Sequence, residues 1–204
     1  MNVAETLLHQ TFDDPDVGAP LTWFCEPSRW RVASGRLVVE PDAETDYWQR
    51  THYGFSADNG PFLHVPVASD FVMTTRVRFH PVNQYDQAGL MVRVDENHWL
   101  KTSVEYEGEH EPSKLGAVVT NGGYSDWSTQ SFPDGVDEVV LRIQRTADDY
   151  VVSYALPDGT GAWSQLRMGH LHNPGGGSVQ CGLYACCPTG AGYRAEFDYL
   201  SIHG

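Results

Sequence analysis

Helical periodicity is the first thing this 204-residue chain lacks. No segment of useful length brings apolar residues back every three to four positions. A parallel α/β sheet, which needs crossover helices, is thereby excluded. Positive charge is scarce too: 13 Lys and Arg stand against 27 Asp and Glu, a net charge of -14. That potential repels phosphate backbones and anionic lipid, so no nucleic acid and no membrane is expected as a partner. No run approaches the roughly 18 apolar residues of a membrane span. The opening "MNVAETLLHQTFDD" has neither the basic n-region nor the apolar h-region of a secretory signal, and there is no Asn-x-Ser/Thr sequon. A cytoplasmic protein is the expectation.

Cysteine is sparse and oddly placed. Cys25 stands apart, whereas Cys181, Cys186 and Cys187 crowd into "SVQCGLYACCP" without a CxxC spacing. Four reduced thiols are expected, with Cys181 and Cys187 on one strand face and Cys186 on the other. A strained vicinal disulfide or a soft-metal site at Cys186–Cys187 is the less favoured alternative. The motifs GxSxG, GxxxxGK[ST] and GxGxxG are missing, which removes support for triad hydrolysis and phosphate-loop chemistry. "HLH" (His170–His172) has ligand-like spacing but precedes the loop "NPGGG", and "PDAETD" (Pro41–Asp46) is acidic without a calcium-loop pattern. Neither a metal nor a cofactor is expected.

Alternation is what the chain has instead. Segments 35–40, 71–79, 88–94, 99–106, 114–120, 138–145, 150–156, 179–187 and 193–202 are short, rich in β-branched and aromatic residues, and close to period two. Turn signals such as "DENH", "EGEHEPS", "NGGYSD", "PDGTG" and "NPGGG" separate them. Phe71, Met73, Val77 and Phe79 form one inward set; Ala88, Leu90, Val92 and Val94, then Leu100, Thr102, Val104 and Tyr106, form others. Such a series specifies an all-β, antiparallel sandwich. No repeat or composition break divides it, so one domain over 1–204 is expected.

The outward row is less ordinary than the inward one. Gln87, Gly89, Met91 and Arg93 on one strand, with Trp99, Lys101, Ser103 and Glu105 on the next, make a poor solvent face. Together "YDQAGLMVR", "WLKTSVEY", "LGAVVTNGGYSDWS", "GRLVVEPDAETDYWQRTHYGF" and the late "GLYACCP" and "FDYLSI" resemble a family of unknown function. This is the domain-of-unknown-function 1349 family, which includes regulation-of-enolase-type proteins and is assigned to the concanavalin-A-like lectin/glucanase sandwich. The resemblance covers nearly the whole chain. It implies a jelly-roll sandwich with a concave, ligand-carrying sheet, and it implies no activity. It also directs attention to Gln87, Trp99, Lys101, Glu105, Asn121, Asp126 and Trp127, with Trp48 and His52 from the earlier segment.

Flat aromatic faces with amides and carboxylates suit a sugar or another small polar ligand. Trp48, Trp99 and Trp127 would supply the first, and Gln87, Lys101, Glu105, Asn121 and Asp126 the second. Non-catalytic binding in a groove is therefore the favoured reading. A retaining glycoside hydrolase is the alternative: in "EYEGE", an unbroken strand would put Glu105, Glu107 and Glu109 on one face at ~6.6 Å intervals. Gly108 and "EHEPS" argue that the strand stops near Tyr106, leaving Glu107 and Glu109 in a solvated turn. A third reading, implied only by the resemblance, is a protein-interaction module that regulates a metabolic enzyme.

Overall fold

A computed structural model describes residues 5–157 and 159–204, and within them it contains strands and no helix. The chain begins with β1 (Thr6–Gln10), β2 (Thr22–Phe24), β3 (Arg29–Ala33) and β4 (Arg36–Glu40), then a short pair, β5 (Tyr47–Gln49) and β6 (Ser56–Asp58). Next come β7 (Phe62–Val67), β8 (Phe71–His80), β9 (Gln87–Asp95), β10 (His98–Glu105), β11 (Lys114–Asn121) and β12 (Tyr124–Ser131). The last third supplies β13 (Glu138–Thr146), β14 (Asp149–Ala155), β15 (Ser164–His170), β16 (Val179–Cys186), β17 (Arg194–Phe197) and β18 (Leu200–His203). One sheet runs β15-β14-β13-β8-β17-β4-β3, with β18 joining β8 to β1; the other runs β12-β11-β10-β9-β16-β7-β2. Every strand pair is antiparallel. The expected sandwich is the observed architecture. No helix among the described residues is long and apolar enough to cross a membrane.

The two sheets differ in how they meet solvent. In β8 burial alternates strictly, with Phe71, Met73, Val77 and Phe79 inward and Val72, Arg76, Arg78 and His80 outward. The outer side of that sheet is a lattice of ion pairs: Arg36 and Arg78 reach Asp198 at 3.0 and 2.5 Å, and Arg78 reaches Glu138 at 2.8 Å. Strands β9, β10, β11 and β16 are instead buried at nearly every position. Continuous burial requires cover on both faces. Their inner face, including Ala88, Leu90, Val92, Leu100 and Val104, joins the main core. The outer face holds Met91, Trp99, Val118, Tyr184 and Cys186, which pack with Tyr47 and Trp48 into a second cluster.

That cover is the β5–β6 hairpin. Its strand ladder is confined to its own two strands, an arrangement that is marginal in isolation. Side chains fasten it down. The Gln49 backbone N–H donates to Ser125 Oγ at 2.9 Å, and Gln49 Nε2 donates to the Glu96 carbonyl at 3.1 Å. Arg93 grips Asp58 through Nε and Nη2, at 3.3 and 2.6 Å. Gly60 lets the chain leave the hairpin closely: an added Cβ would lie 2.5 Å from Cys186 Sγ and 2.6 Å from the Tyr47 ring.

Several sequence expectations need correction. Trp99, Lys101 and Ser103 do face outward from the core but are buried beneath the hairpin. Tyr106 falls beyond the end of β10 and is only half-buried. The turn expected over "NGGYSD" shrinks to Gly122 and Gly123, whose φ values of 58° and 75° suit glycine, and β12 begins at Tyr124. His170 ends β15 rather than starting a loop. The expected division of the cysteines, by contrast, holds: Cys181 and Cys187 lie in the main core and Cys186 in the second cluster, all three as free thiols, while Cys25 is exposed.

Candidate binding cleft

The hairpin does not seal the outer face completely. Between it and strands β9–β12 lies a cavity of about 160 Å³. Trp48 from β5, Tyr53 and Phe55 from the hairpin loop, Tyr85 from the approach to β9, and Val118 and Trp127 form its walls. Asp46, Gln87, Lys101 and Glu105 supply its polar groups. Antiparallel register puts Glu105 directly opposite Gln87, and period two keeps Lys101 on the same face as Glu105.

Gln87 organises the polar floor. Its Nε2 donates to Glu105 Oε2 at 2.7 Å and to the Tyr85 carbonyl at 3.2 Å. Its Oε1 accepts from Lys101 Nζ at 2.8 Å and from the Tyr184 hydroxyl at 3.1 Å. Flipping the amide would set its NH₂ against an ammonium, so the orientation is fixed by its partners. Lys101 Nζ also lies 3.6 Å from Asp46 Oδ1 and 5.7 and 5.6 Å from the Trp99 and Tyr184 ring centroids. The Tyr47 backbone N–H donates to the same Asp46 oxygen at 2.7 Å.

Glu105 stands differently. One oxygen is held by a neutral amide, and no cation forms an ion pair with the carboxylate among the described residues. Burial pushes its carboxyl up to about 8; Lys101 opposes that rise, while Asp46 and Glu107 add to it. The side chain keeps part of its surface open to the cleft.

The aromatic rim is built with unusual exposure. Tyr53 is 59% exposed, Phe55 47% and Tyr85 38%. Trp48 packs against Tyr53 at 5.5 Å and edge-on to Trp127 at 6.4 Å. Gly116 gives the Trp127 indole room, since a Cβ there would come within 2.8 Å of Nε1. Tyr85 holds a left-handed φ of 73°, a conformation that costs a non-glycine residue on the order of 1 kcal/mol. Its backbone N–H donates to the Tyr106 carbonyl at 2.6 Å, which fixes that geometry.

Five of the residues singled out from sequence therefore converge: Gln87, Lys101, Glu105, Trp48 and Trp127. Four do not line the cavity. Trp99 is wholly buried under the hairpin, edge-on to Tyr47 at 6.0 Å and beside Lys101 on the same strand face. His52 is exposed outside, edge-on to Tyr53 at 4.8 Å. Asn121 clamps the β15 end instead, donating to the His170 carbonyl at 2.9 Å and accepting from the His172 N–H at 2.8 Å. Asp126 pairs with Arg167 at 3.0 Å. Glu107 and Glu109 both follow the end of β10, and Glu109 is exposed. Asp46, Tyr53, Phe55 and Tyr85 are lining residues that strand alternation alone does not reveal. For Tyr53 and Phe55 the aromatic pair inside "THYGF" was the one sequence signal. Around "HLH", His170 Nδ1 lies 2.8 Å from Asp149, and among the described residues no three ligating side chains are grouped to hold a metal.

Comparison with known proteins gives the following. Residues 23–204 match the family described as protein of unknown function (DUF1349). Regulation of enolase protein 1 of Saccharomyces cerevisiae is 34% identical over 181 residues, covering 89% of this chain and 88% of the yeast protein. The crystal structure of a functionally unknown protein from Saccharomyces cerevisiae superposes with a TM-score of 0.80 at 32% identity, over 89% of this chain and 95% of that one. The GH43 protein BlXynB from Bacillus licheniformis superposes with a TM-score of 0.74 at 16% identity, over 96% of this chain but 39% of that one. The last likeness is one of fold alone.

Proposed function

The chain belongs to the DUF1349 family, and from the cleft beneath the hairpin we propose that it binds, without turning over, a small polar or carbohydrate-like ligand. The observation that carries this reading is the free side of Glu105, presented on a floor of fixed polarity between aromatic walls. Flat rings receive an apolar face, and a buried acceptor orients a donor group. Turnover of a glycoside would need a second carboxylate facing the first, about 5–5.5 Å away in a retaining enzyme. Asp46 is engaged by Lys101 and the Tyr47 amide, and Glu107 lies beyond the strand. Titration calorimetry with a panel of monosaccharides, disaccharides and small polar metabolites tests the reading. One-to-one binding that disappears in Trp127→Ala supports it, and silence across the panel refutes it.

A second reading draws on the yeast relative, whose name is Regulation of enolase protein 1. In it the exposed rim of Tyr53, Phe55 and Tyr85 contacts a metabolic enzyme. Co-sedimentation with purified enolase would support that reading only if Tyr53→Ser abolished the complex.

A further inference from the structure

Resting on the ligand-binding reading above, we infer that the group the cleft recognises is a small organic cation, an ammonium or quaternary ammonium head seated between Glu105 and the aromatic rim. The charges of the floor lead to this. Lys101 is matched by Asp46 at 3.6 Å, which leaves Glu105 with only the neutral amide of Gln87 at 2.7 Å. A buried carboxylate without a counter-charge must take up a proton or gain a cation. Around Glu105, Lys101 from its own strand favours ionisation but is already matched by Asp46; Asp46 and Glu107 disfavour it, and Tyr85, Tyr184 and Gln87 are neutral. Two acids against one base repel an anionic ligand. A neutral hydroxyl would satisfy the free oxygen and leave the charge uncompensated.

The walls favour the same class. Trp48, Tyr53, Phe55, Tyr85 and Trp127 surround the opening, and the negative faces of such rings attract cations, most strongly quaternary ammonium groups in aromatic cages. Size agrees as well. About 160 Å³ is less than the roughly 300–1,000 Å³ of pockets that enclose drug-sized ligands, so a compact head group fits and a polymer chain does not.

The experiment compares choline chloride with 3,3-dimethylbutan-1-ol, its uncharged isostere, by calorimetry and tryptophan fluorescence near pH 8. Methyl glucosides and cellobiose are run in parallel. The expected result is choline binding roughly tenfold tighter than the isostere. Its affinity should rise with pH up to about 8, as Glu105 ionises, and fall roughly tenfold in Glu105→Gln. The isostere comparison uses the unaltered protein and holds even if that variant folds poorly. Equal binding of choline and isostere overturns the inference. Sugar binding without choline binding overturns it while leaving the ligand-binding reading intact, and silence toward every probe removes both.

Discussion

Replacing Glu105 by Gln should stabilise the protein, and increasingly so as pH rises. The carboxyl titrates at about 8 in the folded chain against an ordinary value of 4.5. Because the folded-state value is the higher one, stability from this group is complete below about pH 4.5 and is lost as pH climbs through about 8. At about 1.4 kcal/mol for each tenfold in proton affinity, the loss approaches 5 kcal/mol. Glu105 keeps one side open to the cleft, and solvent there screens the charge, so about 2 kcal/mol is the realistic figure. The isosteric amide keeps an acceptor for Gln87 Nε2 and carries no charge to desolvate. Thermal unfolding of both proteins should therefore coincide near pH 4 and diverge by roughly 4–8 °C near pH 9, the variant melting higher. A variant that is less stable at every pH would show that Glu105 is ionised and held in a structural ion network, and the account of the floor would be wrong.

Three further outcomes are expected. Gly60→Ala should cost about 1–3 kcal/mol through overpacking against Cys186 and Tyr47; an unchanged melting temperature would mean the hairpin sits more loosely than described. With Ellman's reagent, Cys25 should react first because it is exposed, although partial burial and Asp58 raise its thiol too, while Cys181, Cys186 and Cys187, buried thiols held above their ordinary range, should react only after denaturation. A second fast thiol, or a mass two hydrogens light without reductant, would contradict that. Aryl glycosides and β-glucans should show no turnover, and activity lost in both Glu105→Gln and Glu107→Gln would restore the hydrolase reading.

The sequence was informative wherever a single strand decided the matter. Alternation alone sorted Leu100, Thr102 and Val104 inward from Trp99, Lys101 and Glu105 outward, and the structure keeps that division. Parity could also have separated Trp127, which lines the cleft, from Asp126, its neighbour on the opposite face of β12. The hairpin was the illegible part. Tyr47 and Trp48 cover strands some forty residues or more along the chain, and no local pattern specifies that packing. Asp46 therefore read only as part of an acidic segment, and Tyr53 and Phe55 carried no assigned role, whereas the tertiary fold brings all three to the cavity that Glu105 also lines. Asn121 and His52 misled for the related reason that polar residues beside a functional strand also serve as clamps and rim packing.

The way the β5–β6 hairpin is attached has an evolutionary consequence. It shares no ladder with either sheet, so loop residues between Gln49 and Ser56 can be exchanged, lengthened or shortened without shifting any strand's register. The loop carries Tyr53 and Phe55, whereas Gln87, Lys101 and Glu105 are fixed on β9 and β10. Polar chemistry and shape selectivity thus reside on separately heritable pieces of the chain. A lineage could retain the buried acid and change what fits above it by altering only a few codons of one surface loop.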